Sequence, residues 1–231
     1  MQLVIFDIDG TLINSNSIDS DCFLSAFKLE FGFTNISSNW AKYTNITDSG
    51  IAQEIFIEKL GRLPTQVELE NIKKCFVNLL QESFHENPNL FSEILGSGQI
   101  LAELRVNQDW CVAIATGGWY DSAILKLEKA NLNIQGIPLA SSDDGIARDD
   151  IVNCAISKSK AIYQVREFQK IVFVGDGVWD VATAYNLNID FLGRENKLDN
   201  ILLHAGVENI VEDFSDSTKF FQLLKIAKIP R

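Results

Sequence analysis

Histidine is almost missing from this chain of 231 residues: His85 and His204 are its only two, and the four cysteines, Cys22, Cys75, Cys111 and Cys154, stand far apart without paired spacing. A zinc cluster has little to draw on, and a disulfide framework has no pattern to follow. The thiols read as free in a reducing compartment, which places the protein in the cytoplasm. No apolar run approaches the roughly 20 residues that cross a bilayer, and the first strand-like run begins at Gln2 with no basic stretch before it, so no membrane partner is expected. Positive charge is scarce too. Lys and Arg number 20 against 31 Asp and Glu, a net charge of −11 that repels a polyanionic backbone and argues against nucleic acid. Repeats and low-complexity linkers are absent.

What is present is an ordinary globular composition, 46% hydrophobic and 22% charged, with the apolar residues in short runs. The length suits one large core with a smaller satellite, and either a monomer or a dimer. Residues 2–6 form a continuous apolar run with β-branched members, the pattern of a strand buried on both faces of a parallel sheet. From about residue 17 to residue 91 the period is helical, clearest over 19–31 and 67–84. Alternation then returns. Helices are predicted over 99–106, 120–130, from about 149, and over 178–186, with a last one near the end; strands are predicted over 111–115, 137–140, 171–174, 189–192 and 209–211. Strands alternating with helices predict an α/β fold, a doubly wound, Rossmann-like parallel sheet. The helical block becomes an all-α insertion after the first strand, residues 15–92, leaving 1–14 and 93–231 as the core.

Sheets of this kind bind ligands beyond the carboxyl ends of their strands. Read at those positions, the chain gives Asp7-Ile8-Asp9-Gly10-Thr11, then Thr116-Gly117-Gly118, then Gly175-Asp176-Gly177-Val178-Trp179-Asp180. Carboxylates gathered in a crevice repel one another unless a cation neutralises them, and an oxygen-only donor set suits Mg²⁺. An EF-hand loop also opens with Asp-x-Asp, but it needs glycine at its sixth position, where Leu12 stands, and glutamate at its twelfth, where Ile18 stands. Thr116-Gly117-Gly118 alone could equally be a helix-starting turn.

Val4-Ile5-Phe6-Asp7-Ile8-Asp9-Gly10-Thr11-Leu12 resembles the first signature of the haloacid dehalogenase superfamily, and Gly175-Asp176-Gly177-Val178-Trp179-Asp180 resembles its last. The order of motifs and the place of the helical insertion, the family's cap, resemble its phosphoglycolate phosphatase and β-phosphoglucomutase branch. The resemblance implies that Asp7 attacks phosphorus to form an aspartyl phosphate, while Asp9 protonates the leaving oxygen and then activates water. It implies Mg²⁺ held by the Asp7 carboxylate, the Asp9 backbone carbonyl and Asp176, with Asp180 positioning water or supporting the ligands. Thr116 and Gly117 would hold phosphoryl oxygens.

One motif departs from the family pattern. Where the family usually places a lysine, this chain offers Arg148, which can bind a phosphoryl group bidentately; Lys158 and Lys160, about ten residues further along the helix, are the rivals. Trp119, Tyr120 and Trp179 could wall a pocket or simply pack in the core. Residues 43–50 read as a polar interhelical loop, either lowered onto the substrate or merely presenting Asp48 or Ser49 as a helix cap.

The activity implied is hydrolysis of a small-molecule phosphate ester. A phosphomutase shares every motif. A haloacid dehalogenase lacks the second aspartate, here Asp9. A phospho-receiver module carries its acceptor after a middle strand and has no long helical insertion.

Overall fold

The computed structural model of the protein describes residues 1–196 and 200–230. Its centre is strand β1 (Gln2–Phe6), where Val4 and Phe6 face one apolar layer and Leu3 and Ile5 the other. Both faces are fully buried, which is why the segment lacks an apolar–polar alternation. A two-residue strand β2 (Ile13–Asn14) follows, then helix α1 (Asn16–Phe31), a 3₁₀ turn at Trp40–Lys42, α2 (Asp48–Leu60) and α3 (Gln66–Glu86). The chain returns through β3 (Ser92–Glu93), which pairs antiparallel with β2, so one small ribbon carries both connections to the helical block.

The remainder alternates as the sequence predicts: α4 (Ser97–Arg105), β4 (Trp110–Ala115), α5 (Tyr120–Lys129), β5 (Leu139–Ala140), α6 (Arg148–Ile162), β6 (Ile171–Gly175) and α7 (Val178–Asn186). Then come β7 (Asp190–Arg194), α8 (Ile201–His204), β8 (Ile210–Val211) and α9 (Ser217–Ile226). Among the described residues the main sheet has six strands in the order β5-β4-β1-β6-β7-β8, and every pairing is parallel. Numbered by their sequence within this sheet, the strands run 3-2-1-4-5-6, the doubly wound order. Its crevice opens between β1 and β6, where the winding reverses. Phe6 pairs with Ile114 on one side and Val174 on the other, so the segments beginning at Asp7, Thr116 and Asp176 leave the sheet at one edge.

The helical block has its own aromatic core. Phe23, Phe27, Phe56 and Phe76 are buried together, and the indole of Trp119, from the sheet side, joins them with ring centroids 5.6 Å from Phe23 and 5.9 Å from Phe76. Residues 43–50 end differently from the expected loop. Helix α2 already starts at Asp48, and its cap is Thr47, whose hydroxyl accepts the Gly50 N–H at 3.0 Å, rather than Asp48 or Ser49. Asp48 instead spends its side chain on the sheet domain, accepting the Trp119 backbone N–H at 2.8 Å. No helix among the described residues is long and apolar enough to cross a membrane.

Candidate active site

Asp7 follows β1 directly, its backbone N–H bonded to Val174 O at 2.9 Å, which fixes the carboxylate at the crevice. The turn after it needs Gly10, which has a φ of +76°; a Cβ there would fall onto the Asp176 carboxylate and the Asn16 amide. One carboxylate oxygen from each of Asp7, Asp176 and Asp180 lies within 4.8 Å of the others. Asp180, in the first turn of α7, accepts the Gly177 N–H at 3.0 Å through Oδ2. Its Oδ1 is buried and accepts no well-directed hydrogen bond, although Arg148 Nη1 comes within 2.8 Å off that direction.

Two buried acids and a partly buried one, so close together, are electrostatically unsatisfied. Burial holds the Asp7 carboxyl well above the usual range; Arg148 opposes this, while Asp180, Asp176 and Asp9 add to it. Burial and then Asp180 push Asp176 up to about 7, and burial raises Asp180 against the pull of Arg148. An oxygen-only set that includes a buried carboxylate oxygen without a directed hydrogen bond fits a hard divalent cation such as Mg²⁺.

The Asp9 carboxylate, for which the sequence implies an acid–base role and only its backbone carbonyl as a ligand, lies outside this cluster. It points toward α5, where Lys126 Nζ contacts both its oxygens at 2.7 and 2.6 Å and Ser15 donates to Oδ1 at 2.5 Å. The same ammonium donates to Asp19 at 2.5 Å. Burial alone would depress Lys126, but Asp19 and Asp9 outweigh it and raise its pKa, so the lysine is charged while fully buried.

Arg148, the first residue of α6, is the cation beside Asp7 and Asp180. Its Nη1 is 3.4 Å from Asp7 Oδ1, its Nε donates to Ile46 O at 3.2 Å, and its guanidinium lies 6.0 Å from the Trp179 ring centroid. The rivals are elsewhere: Lys158 pairs with Asp144 and Lys160 with Glu167. Thr116 is buried at the crevice, its hydroxyl accepting the Gly118 N–H at 3.1 Å, and Gly117 O accepts the Asp48 N–H at 2.8 Å. Of the three aromatics, Trp179 lines the cavity, Trp119 is buried in the helical core, and Tyr120 faces solvent.

Asp7, Asp9, Thr116, Arg148, Asp176 and Trp179 line a cavity of about 300 Å³ between the sheet edge and the helical block. Hydrogen bonds also tie the start of α2 to the segments that follow the sheet strands. Ser49 and Ser142 exchange hydrogen bonds at 2.7 to 2.9 Å, Trp119 Nε1 donates to Ser49 Oγ at 2.9 Å, and Thr47 Oγ1 donates to Ile146 O at 2.7 Å. Reading the sequence alone missed Lys126, Asp19 and the β2–β3 ribbon. Lys126 left a signal, because it stands on the same α5 face as the buried Ser122, Ala123 and Leu127, where a lysine is out of place.

The profile of the family described as haloacid dehalogenase-like hydrolase matches residues 4–194. Among curated proteins none matches the chain. Among solved structures, a hydrolase from Pseudomonas syringae superposes with a TM-score of 0.72 at 20% identity, covering 96% of this chain and 98% of its own. A protein from Bacteroides vulgatus, provisionally named a β-phosphoglucomutase, gives 0.67 at 18% identity, with 98% and 89% covered. A predicted phosphoglycolate phosphatase from Haemophilus somnus gives 0.61 at 19%, with 96% and 98% covered.

Proposed function

Because the chain belongs to the haloacid dehalogenase-like hydrolase family, we propose that it is a Mg²⁺-dependent phosphatase of a small phosphate monoester, with Asp7 as its nucleophile. The observation that carries this reading is the convergence of Asp7, Asp176 and Asp180 within 4.8 Å at the sheet's switch point, beside the Arg148 guanidinium. Residues 1–14 and 93–231 form the catalytic core and 15–92 the cap; the β2–β3 ribbon at both crossings supports that division.

Mg²⁺ held by the carboxylates of Asp7, Asp176 and Asp180, with the Asp9 carbonyl, would neutralise the acids and the phosphoryl oxygens. Asp7 attacks phosphorus, its carboxylate gaining a bond to phosphorus as the bond to the ester oxygen breaks. Arg148, the Thr116 hydroxyl and the Gly117 N–H bind the non-bridging oxygens. Asp9 hands a proton to the leaving oxygen and then takes one from the water that cleaves the aspartyl phosphate. To do so its carboxylate exchanges its contact with Lys126 for the reacting oxygens. The residues of the cap that reach Gly117, Ser142 and Ile146 close the cavity against water.

The test is phosphate release from a generic aryl phosphate. Chelation should abolish it and Mg²⁺ restore it, with Ca²⁺ a poor substitute because its larger, looser shell holds the nucleophile less well in line. Full activity after exhaustive chelation sinks the metal assignment. Sugar phosphates that return rearranged products without free phosphate indicate a phosphomutase instead.

A further inference from the structure

We propose that the alcohol part of the substrate carries a cationic amine, received by Asp19 and Asp48 beside the rings of Phe23 and Trp40. The inference rests on the phosphatase reading and adds the substrate class to it. From Asp7 and Thr116 the cavity extends into the helical block, where Asp19, Ser20, Phe23, Trp40, Asp48 and Ile51 line it. This is the end that meets the leaving group.

Its charges do not balance. Three carboxylates, Asp9, Asp19 and Asp48, share Lys126 as their cation. Lys126 is fully buried behind them and does not line the cavity, so among the described residues no ammonium faces the ligand there. Among the described residues Arg148 is the one lysine or arginine on the cavity wall, and it is engaged by Asp7 and Asp180 at the phosphoryl end. Asp48 is 8% exposed; the Trp119 N–H takes its Oδ2, and no donor among the described residues bonds its Oδ1. Burial and neighbouring charge hold Asp19 up at about 6 and Asp48 well above the carboxylate range, a penalty that a bound cation would relieve. The Phe23 and Trp40 rings stand perpendicular with centroids 5.9 Å apart, an aromatic corner of the kind that attracts an alkylammonium.

A carboxylate or a second phosphate on the leaving group would meet these acids with no cation to pair it. A neutral alcohol would fit but leave the charge uncompensated.

Three esters with two-carbon alcohol parts separate the cases: O-phosphoethanolamine, ethyl phosphate and phosphoglycolate. Calorimetric titration of the full-length Asp7→Asn protein with Mg²⁺ reads binding without turnover. Phosphoethanolamine should bind about tenfold tighter than ethyl phosphate, and phosphoglycolate about tenfold more weakly than ethyl phosphate. Adding Asp48→Asn, or separately Asp19→Asn, should bring the amine preference down toward unity, which a uniform effect of ligand charge would not do. Ethyl phosphate or phosphoglycolate binding as tightly as phosphoethanolamine overturns the proposal, as does a preference that survives both substitutions. Failure of the phosphatase reading shows separately, as wild-type protein that turns over no ester, aryl phosphate included.

Discussion

Replacing Lys126 with methionine removes the ammonium and keeps an unbranched chain of similar length in the α5 packing. Asp9 retains the Ser15 hydroxyl at 2.5 Å, whereas Asp19 loses its only side-chain hydrogen bond among the described residues. Removing one partner of a buried ion pair typically costs about 3–5 kcal/mol, because the other charge stays behind uncompensated. The Asp9 and Asp19 side chains are 19% and 20% exposed, so water recovers part of the loss and the lower end applies, about 3 kcal/mol at pH 8. For a chain of this length that is a fall in Tm of roughly 6–12 °C. The deficit should shrink toward pH 5. Asp19, held at about 6 even with Lys126 present, is then largely protonated, and the wild-type lysine has lost much of its own partner. Urea unfolding followed by circular dichroism at both pH values measures this. Adding Asp19→Asn to Lys126→Met should recover about 1 kcal/mol at pH 8, since the stranded charge is gone. A loss below about 1 kcal/mol at pH 8, or a larger loss at pH 5, would refute the reasoning.

Burial raises Asp7, Asp19, Asp48 and Asp176, the second and last to about 6 and about 7, so the folded state binds more protons than the unfolded one. Stability from these groups is present at low pH and lost as pH rises, through 6 to 7 for Asp19 and Asp176: chelated protein should melt lower at pH 8 than at pH 5.5, and Mg²⁺ should restore more at pH 8. Melting temperatures that rise with pH under chelation would contradict this. Gly10→Ala should remove most of the Mg²⁺ stabilisation seen by thermal shift and cost at least about 1 kcal/mol for the left-handed backbone. Gly32→Ala, also at positive φ but with open space around its Cβ, should pay the backbone term and keep the Mg²⁺ response. Trp119→Ala, which opens a cavity in the aromatic core of the helical block and removes the indole N–H from Ser49, should cost about 3–5 kcal/mol in urea unfolding.

The strands of the sheet were legible because parallel strands buried on both faces are continuous apolar runs, and residues 2–6 and 171–174 show this without any template. Where pairing rather than composition decides the strand, the reading was looser. Residues 137–140 shorten to Leu139–Ala140, and the two-residue strands β2 and β3 carry no periodic signal at all. The acids at the strand ends were legible from position alone. Their partition was not: that Asp180 joins Asp7 and Asp176 while the Asp9 carboxylate turns to Lys126 depends on a helix 117 residues away in the chain. The cap of α2 was misplaced by one or two residues because Asp48 and Ser49 are good capping types whose side chains serve tertiary bonds instead.

The central claim is that Asp7 carries the phosphoryl group, and intact-mass measurement after rapid acid quench reads it directly. With an aryl phosphate, whose leaving group hardly needs a proton, Asp9→Asn should still phosphorylate Asp7 but lack the base that activates water. One phosphoryl group should therefore accumulate on the Asp9→Asn protein, map to the peptide containing Asp7, and be absent from Asp7→Asn. A phosphoryl adduct on the Asp7→Asn protein, or an Asp9→Asn enzyme slowed equally on alkyl and aryl esters with no adduct, contradicts the account.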